Sequence, residues 1–255
     1  MQMSLLVAAL FLLQAPTASL DQVLGSVSKN VREFQDLLPD FVCNEKITSA
    51  AYESGKLKET RTVESIFTAT QKPSPGPRGQ LVFTETRDIT AIDGSPARKG
   101  ARMPKLPLAM FGGFGALLSM TFSPENLKYQ HYELDGILDG GARIVIHFST
   151  EEGQRELRSF LDGEGLINRD EGTAWIDSTS MQVVRLQRDF FSLPRALRRL
   201  RNTVDYGPVV IGDRQFWLPL SMRTEATDRD PKKTKMFLAE YTNCKRFIAE
   251  IKIVP

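Results

Sequence analysis

Histidine and cysteine are scarce in this chain, with two of each among 255 residues. Zinc centres and His- or Cys-based nucleophilic sites are therefore hard to assemble. His-Glu-x-x-His, Cys-x-x-Cys and Gly-x-Ser-x-Gly do not occur. His131 stands in Tyr-Gln-His-Tyr and His147 in Ile-Val-Ile-His-Phe, so both read as strand residues rather than ligands. Asp162, Glu164, Asn168 and Asp170 cluster but lack the spacing of a calcium loop. Nothing in the spacing of the 31 acids favours a carboxylate-pair hydrolase. Basic excess is missing as well: Lys+Arg 33 against Asp+Glu 31 leaves +2, which argues against a nucleic-acid binder. No internal repeat and no strand–helix alternation appear, which argues against a solenoid or a parallel sheet. No apolar run is long enough to span a bilayer comfortably, so an integral membrane protein is not expected. The expectation is a non-enzymatic protein with no cofactor and no metal.

Charge is absent from the start of the chain up to Asp21, and residues 3–14 are almost wholly apolar. That length suits a signal-peptide core, with Thr17 and Ser19 at the small-residue positions of a cleavage after Ser19. The expected organisation is a signal peptide over 1–19 and a single domain over 20–255, in the periplasm or secreted. Cys43 and Cys244 would then meet an oxidising environment. Their even count suggests a disulfide, two separate buried thiols being the alternative. A bond would close a loop of about two hundred residues, worth roughly 5 kcal/mol in the chain-entropy model.

Leu20, Leu24, Val27, Val31, Phe34 and Leu38 recur at helical spacing; Ser19 with Gln22 suits a capping box and Pro39 a stop. After this helix the period shortens to two. Strands are expected over 41–51, 57–71, 80–92, 129–138, 143–150, 203–211, 215–227 and 234–253, with a Pro/Gly loop at 72–79. Ser54-Gly55 and four Asp-Gly pairs, at 93, 135, 139 and 162, suit hairpin turns. Residues 172–189 read as strand, turn, strand, with Asp177 to Ser180 in the turn and Val184 and Leu186 alternating with Arg185. Phe216, Leu218, Leu220 and Met222 form the apolar face of another strand. The fold class is mainly β (α+β): one large antiparallel sheet of about nine or ten strands.

Two segments could carry function. Residues 106–122 are free of charge and hold nine large apolar side chains. Leaving them exposed would cost on the order of 20 kcal/mol, so something covers them. Either 114–122 is a short helix packed on the sheet, or the tract is a mobile lid hinged at Gly112, Gly113 and Gly115. The second segment, 195–201, holds Arg195, Arg198, Arg199 and Arg201. It could face anionic headgroups or an acidic partner, or be a solvated loop or helix face; Leu193, Leu197 and Leu200 have helical spacing.

Several short pieces occur in a telling order. They are 38–45 (Leu-Pro-Asp-Phe-Val-Cys-Asn-Glu), 92–94 (Ile-Asp-Gly) and 113–118 (Gly-Phe-Gly-Ala-Leu-Leu). Gly-Thr-Ala-Trp-Ile-Asp at 172–177, Val-Val-Arg-Leu at 183–186, Val-Asp-Tyr at 204–206 and Phe-Trp-Leu-Pro at 216–219 follow, then Tyr241 and Arg246-Phe247. This order resembles a group of secreted bacterial proteins of acidobacterial type, over most of the mature chain. More distantly, the second half is similar to periplasmic lipoprotein carriers of the Lol type. The distant resemblance implies a half-open antiparallel barrel, helices plugging an apolar concavity, and acyl-chain or lipoprotein binding. The proline-rich arm at 72–79 and the cysteine pair depart from it. On this reading Phe111, Phe114, Leu117, Leu118 and Met120 line or gate the cavity of an exported carrier or sensor. The alternative is an envelope interaction module with a filled core, docking through the arginines.

Overall fold

The computed structural model describes residues 18–73, 81–111, 113–150, 158–161, 164–167, 170–191 and 193–247. The apolar stretch at 3–14, on which the signal-peptide expectation rests, residues 74–79 of the Pro/Gly loop, Gly112 and the expected Asp162-Gly163 turn lie outside these. Helix α1 spans Leu20–Leu37; β1 is Phe41–Glu53, β2 Lys56–Pro73, β3 Leu81–Ile92 and β4 Ser95–Pro96. Helix α2, Gly113–Phe122, precedes β5 (Gln130–Leu138), β6 (Arg143–Thr150), β7 (Arg158–Leu161) and β8 (Glu164–Ile167). The chain continues through β9 (Asp170–Asp177), β10 (Val183–Phe190), β11 (Leu197–Ile211), β12 (Arg214–Asp228) and β13 (Lys233–Arg246).

Eleven strands make one open sheet, ordered β4-β3-β2-β1-β13-β12-β11-β10-β9-β6-β5, while β7 and β8 pair separately. The ladders are antiparallel throughout. The expected large antiparallel sheet is thus present, as a curved half-barrel with the core on one face. Two consequences of the order matter for function. The first and last strands, β1 and β13, meet in the middle of the sheet. The chain neighbours β4 and β5 sit on opposite edges, so residues 97–129, which join them, must cross the sheet. Ten strand spacings of ~4.8 Å make that crossing on the order of 50 Å before curvature.

Alternation decides which side chains face inward. Along β1, Phe41, Cys43, Glu45, Ile47 and Ser49 are buried, and along β13 Phe237, Ala239 and Tyr241 are. A register shift between Val42 and Asn44 breaks the β1–β13 ladder. Asn243 takes a left-handed φ of 53° there, and Cys43 is bonded to Cys244. The disulfide therefore staples the two ends of the fold at the sheet centre. Ser19 caps α1 through a capping box with Gln22, and Val23, Val27 and Val31 bury its inner stripe. A cleavage after Ser19 would remove that cap, at a cost of about 1 kcal/mol. Among the described residues no helix is long and apolar enough to cross a membrane.

Bulges account for most of the local departures from the period-two reading. The shift at Val183/Arg185 buries Val183 with Leu186 and leaves Val184 half-buried. The shift at Asp205/Tyr206 turns Leu220 outward, 41% exposed, while Leu218 and Met222 stay buried. Asp135-Gly136 lies inside β5, beside a shift in its pairing with β6, and is not a turn. Asp139-Gly140 makes that hairpin instead, with φ of 55° and 67°. The segment 195–201 is not helical. From Leu197 it is strand, because pairing with Asp228, Thr227 and Ala226 of β12 outweighs the weak helical spacing of its leucines.

The staple generates a stability expectation. Cys43 and Cys244 are 201 residues apart, so bonding them removes roughly 5 kcal/mol of unfolded-chain entropy as an upper figure. In thermal unfolding, C43S/C244S is expected to melt on the order of 10 °C below the oxidised wild type. The same drop should follow treatment of the wild type with reductant. An unchanged melting point would show that the bond adds nothing to the ladder it crosses.

Candidate functional site

The segment between β4 and β5 is fastened to the inner face at several points. Ser49 Oγ donates to the Leu108 carbonyl at 2.8 Å and accepts the Leu108 N–H at 3.0 Å. Thr224 Oγ1 and Asn202 Nδ2 reach Met110 Sδ at 3.1 and 3.6 Å. Helix α2 follows, and its sequence carries no charged residue. Its first turn is held by Glu85, whose carboxylate accepts the Phe114 N–H at 3.2 Å. Near its far end the Tyr132 hydroxyl donates to the Thr121 carbonyl. Gln35 of α1 donates to Ser119 Oγ at 3.0 Å.

Beneath the start of α2 lies a first arginine centre. Arg87 Nε and Nη2 contact the fully buried Glu45 carboxylate at 2.8 and 2.9 Å, and Nη2 contacts Glu85 at 3.3 Å. Ser65 Oγ donates to Glu45 at 2.8 Å. The guanidinium stacks on Phe67 and Phe111, 5.0 and 4.9 Å from their centroids. Burial opposes its charge, yet the hydrogen bonds and charge of Glu45 outweigh that and raise the Arg87 pKa. Tyr241 completes the group: burial first, then the Glu45 charge, pushes its phenol well above the usual range. With fork, carboxylate and ring all engaged, this centre is closed by its own partners.

A second arginine centre, in β10, is not. One inner-face row runs Tyr132, Phe148, Gly172, Arg188, Asn202, Thr224, Phe237, Ser49 through seven successive pairings. Arg188 is fully buried, and its Nε donates to Asp170, which also accepts from Thr150. Its Nη1 and Nη2 have no hydrogen-bond partner, nor do both amide atoms of Gln130, the Tyr206 hydroxyl or Asn202 Oδ1. All belong to buried residues, and each such group costs ~1–3 kcal/mol when left dry. The Arg188 charge acts on both Tyr132 and Tyr206. Gly172 is obligatory beside it. A Cβ there would lie 2.1 Å from the Gln187 carbonyl oxygen and 2.4 Å from the Phe148 ring.

The residues expected to line a cavity come together here, in a packed state. Phe114, Leu117 and Leu118 are buried in the core, Met120 is half-buried and Phe111 is 38% exposed. Phe114 packs on Phe41, Phe67 and Tyr241 at 4.8 to 5.5 Å between centroids. The arginine cluster lies elsewhere. Arg201 pairs with Asp189 at 2.7 Å, Arg199 approaches the same carboxylate at 3.7 Å, and Arg195 and Arg198 are exposed. Arg188 lies two residues from the buried Leu186 and three from Arg185, so the strand period alone sends Arg188 in and Arg185 out. What the sequence does not show is its partner, Asp170, 18 residues away. Arg87 and Glu45 gave a weaker signal, charge at inward-facing positions of two long strands.

Both histidines lie in a groove of about 430 Å³ on the opposite face, with Glu133, Glu171, Asp189 and Arg201. His147 contacts Thr173 at 2.9 Å and Asp135 at 3.2 Å, and His131 contacts Glu133 at 3.1 Å. The histidines and their acidic partners are half-exposed or more, so these are solvated cross-strand contacts of small energy. Among the described residues no three His, Cys, Asp or Glu side chains converge to hold a metal ion.

No family model matches the chain, and no curated protein matches it. Among solved structures, a DUF1329 family protein from Desulfovibrio piger is similar over 90% of this chain and 95% of its own, with 13% identity and a TM-score of 0.43. A LolA superfamily protein from Nitrosomonas europaea is similar over 89% of this chain and 94% of its own, with 13% identity and a TM-score of 0.37. The latter is of the kind to which the distant sequence resemblance points; the acidobacterial resemblance finds no support in either. At these values neither likeness assigns a ligand or a partner.

Burial is the leading cause that raises the pKa of each of Tyr132, Tyr206 and Tyr241. A phenol raised in the folded state stabilises it fully below the unfolded pKa of ~10, and that stability is lost as pH climbs toward the folded values. The protein is therefore expected to lose stability above about pH 10. In a spectrophotometric titration these three phenolates should appear together with unfolding. Their reversible ionisation in the folded protein would contradict the burial described.

Proposed function

We propose that this is a non-enzymatic exported carrier or sensor, which holds an acyl chain or the acylated end of a lipoprotein against the inner face of its sheet. Helix α2 carries the reading. It is uncharged, it lies over an aromatic wall, and its ends are tied by the Glu85 and Tyr132 contacts. Lifting it would uncover Phe41, Phe67 and Tyr241 at one end and Phe148 at the other, which adjoin Phe114 and Phe122. An acyl chain replaces those contacts in kind: a dozen methylenes offer roughly 10 kcal/mol of burial. Phe111, Phe114, Leu117, Leu118 and Met120 then form the gate and part of the lining. The disulfide between Cys43 and Cys244 supports an oxidising compartment, in keeping with the leader at 1–19.

A second reading has its own support, because Phe114, Leu117 and Leu118 are already buried. In it the core stays filled and the protein is an envelope interaction module, docking through the exposed Arg195 and Arg198.

The two readings part in one experiment. Protein purified without detergent is extracted for mass spectrometry and titrated with a fluorescent fatty acid. The carrier releases bound lipid and takes up the probe. Y132F, which frees one end of α2 by deleting a hydrogen bond of ~1 kcal/mol, is expected to tighten apparent affinity about fivefold. Absence of lipid and of uptake in both proteins sinks the carrier and leaves the filled module.

A further inference from the structure

We propose that Arg188 forms an internal oxyanion site that receives the carboxylate or phosphate headgroup of the carried ligand; this deepens the carrier reading and rests on it. The unpartnered atoms have a bias. Arg188 Nη1 and Nη2 can only donate, and neither has a partner. An acceptor-rich group fits such a set. Asp170, shared with Thr150, occupies the Nε edge of the guanidinium. What stays open is the Nη1/Nη2 pair, which matches the two oxygens of a carboxylate or phosphate. Arg87 supplies the contrast within the same protein, since its fork is already taken by Glu45 and Glu85.

Position ties this site to the proposed acyl path. Asp170 and Arg188 both act electrostatically on Tyr132, the residue that holds the Thr121 end of α2. Phe148, which packs on Phe122 of α2, is separated from Arg188 in the inner-face row by Gly172 alone. A ligand whose chain displaces α2 brings its head to this end of the sheet. Binding there would select acids and phosphates over neutral alkyl chains of equal length.

The whole chain is titrated with decanoate, decyl phosphate and decanol, and separately with acetate and inorganic phosphate. Wild type is expected to bind one or both decyl anions about tenfold tighter than decanol, as hydrogen bonds to a charged group imply. The tighter anion tells a fatty carboxylate from a lipid phosphate. R188M/D170N removes both buried charges together, which a fold can tolerate; it should bind all three decyl ligands alike. If that variant does not fold, R188K keeps the charge without the fork and should lose most of the preference. Equal affinities in wild type, or an undiminished preference in the variants, overturn the oxyanion site and leave the carrier standing. If no decyl ligand binds, the carrier reading fails, and acetate and phosphate decide the site. A thermal shift confined to wild type upholds it; no shift means that water alone fills it.

Discussion

The pairing of β1 with β13 is the constraint on which the rest of the structure depends. It joins the first strand of the chain to the last, in the middle of an eleven-stranded sheet. Contacts so far apart in sequence carry a large loop-closure cost, and the Cys43–Cys244 bond lowers it by restricting the unfolded chain. Once these strands meet, β2 to β4 grow outward on one side and β12 to β5 on the other. The connection from β4 to β5 then has no short route. It crosses the sheet, and its apolar, chargeless run at 106–122 lets it cross on the inner face.

That crossing segment is where fold and function meet. Polar contacts hold it at a few points: Ser49 on Leu108, Glu85 on Phe114, Tyr132 on Thr121. Between them the contacts are apolar and non-directional, and another apolar molecule can replace them. Two inward-facing arginines flank this arrangement and differ in completeness. Arg87 has its Nε and Nη2 taken by Glu45 and Glu85 and stacks on two aromatic rings. Arg188 is neutralised by Asp170 but keeps the four N–H donors of Nη1 and Nη2 dry. A buried ion pair needs its remaining protons satisfied to be stable, so the two centres suit different roles, one structural and one receptive.

Much was legible in the residues themselves. The stripe Leu20–Leu24–Val27–Val31 marked α1, and Ser19 with Gln22 marked its cap. Period-two alternation marked the sheet, and Ser54-Gly55 and Asp93-Gly94 marked its turns, where positive φ is required. The chargeless run at 106–122 announced a covered segment. These signals are local, set by backbone geometry within a few residues. Where alternation misled, at Val184 and Leu220, a bulge inserted one residue and turned it off the buried face.

Composition and periodicity by themselves determined an antiparallel β protein with one capped helix, an uncharged tract that had to be covered, and two cysteines suited to a bond. Tertiary structure alone decided that the cysteines lie on paired strands, that the connection carrying the tract joins opposite edges of the sheet, and that Arg188 meets Asp170 while Arg185 meets Asp205. The reason is physical. A strand's period is written in its own residues, but its neighbours, register and bulges are fixed by partners up to two hundred positions away. The same basic residue becomes a solvated charge or a buried site according to that register.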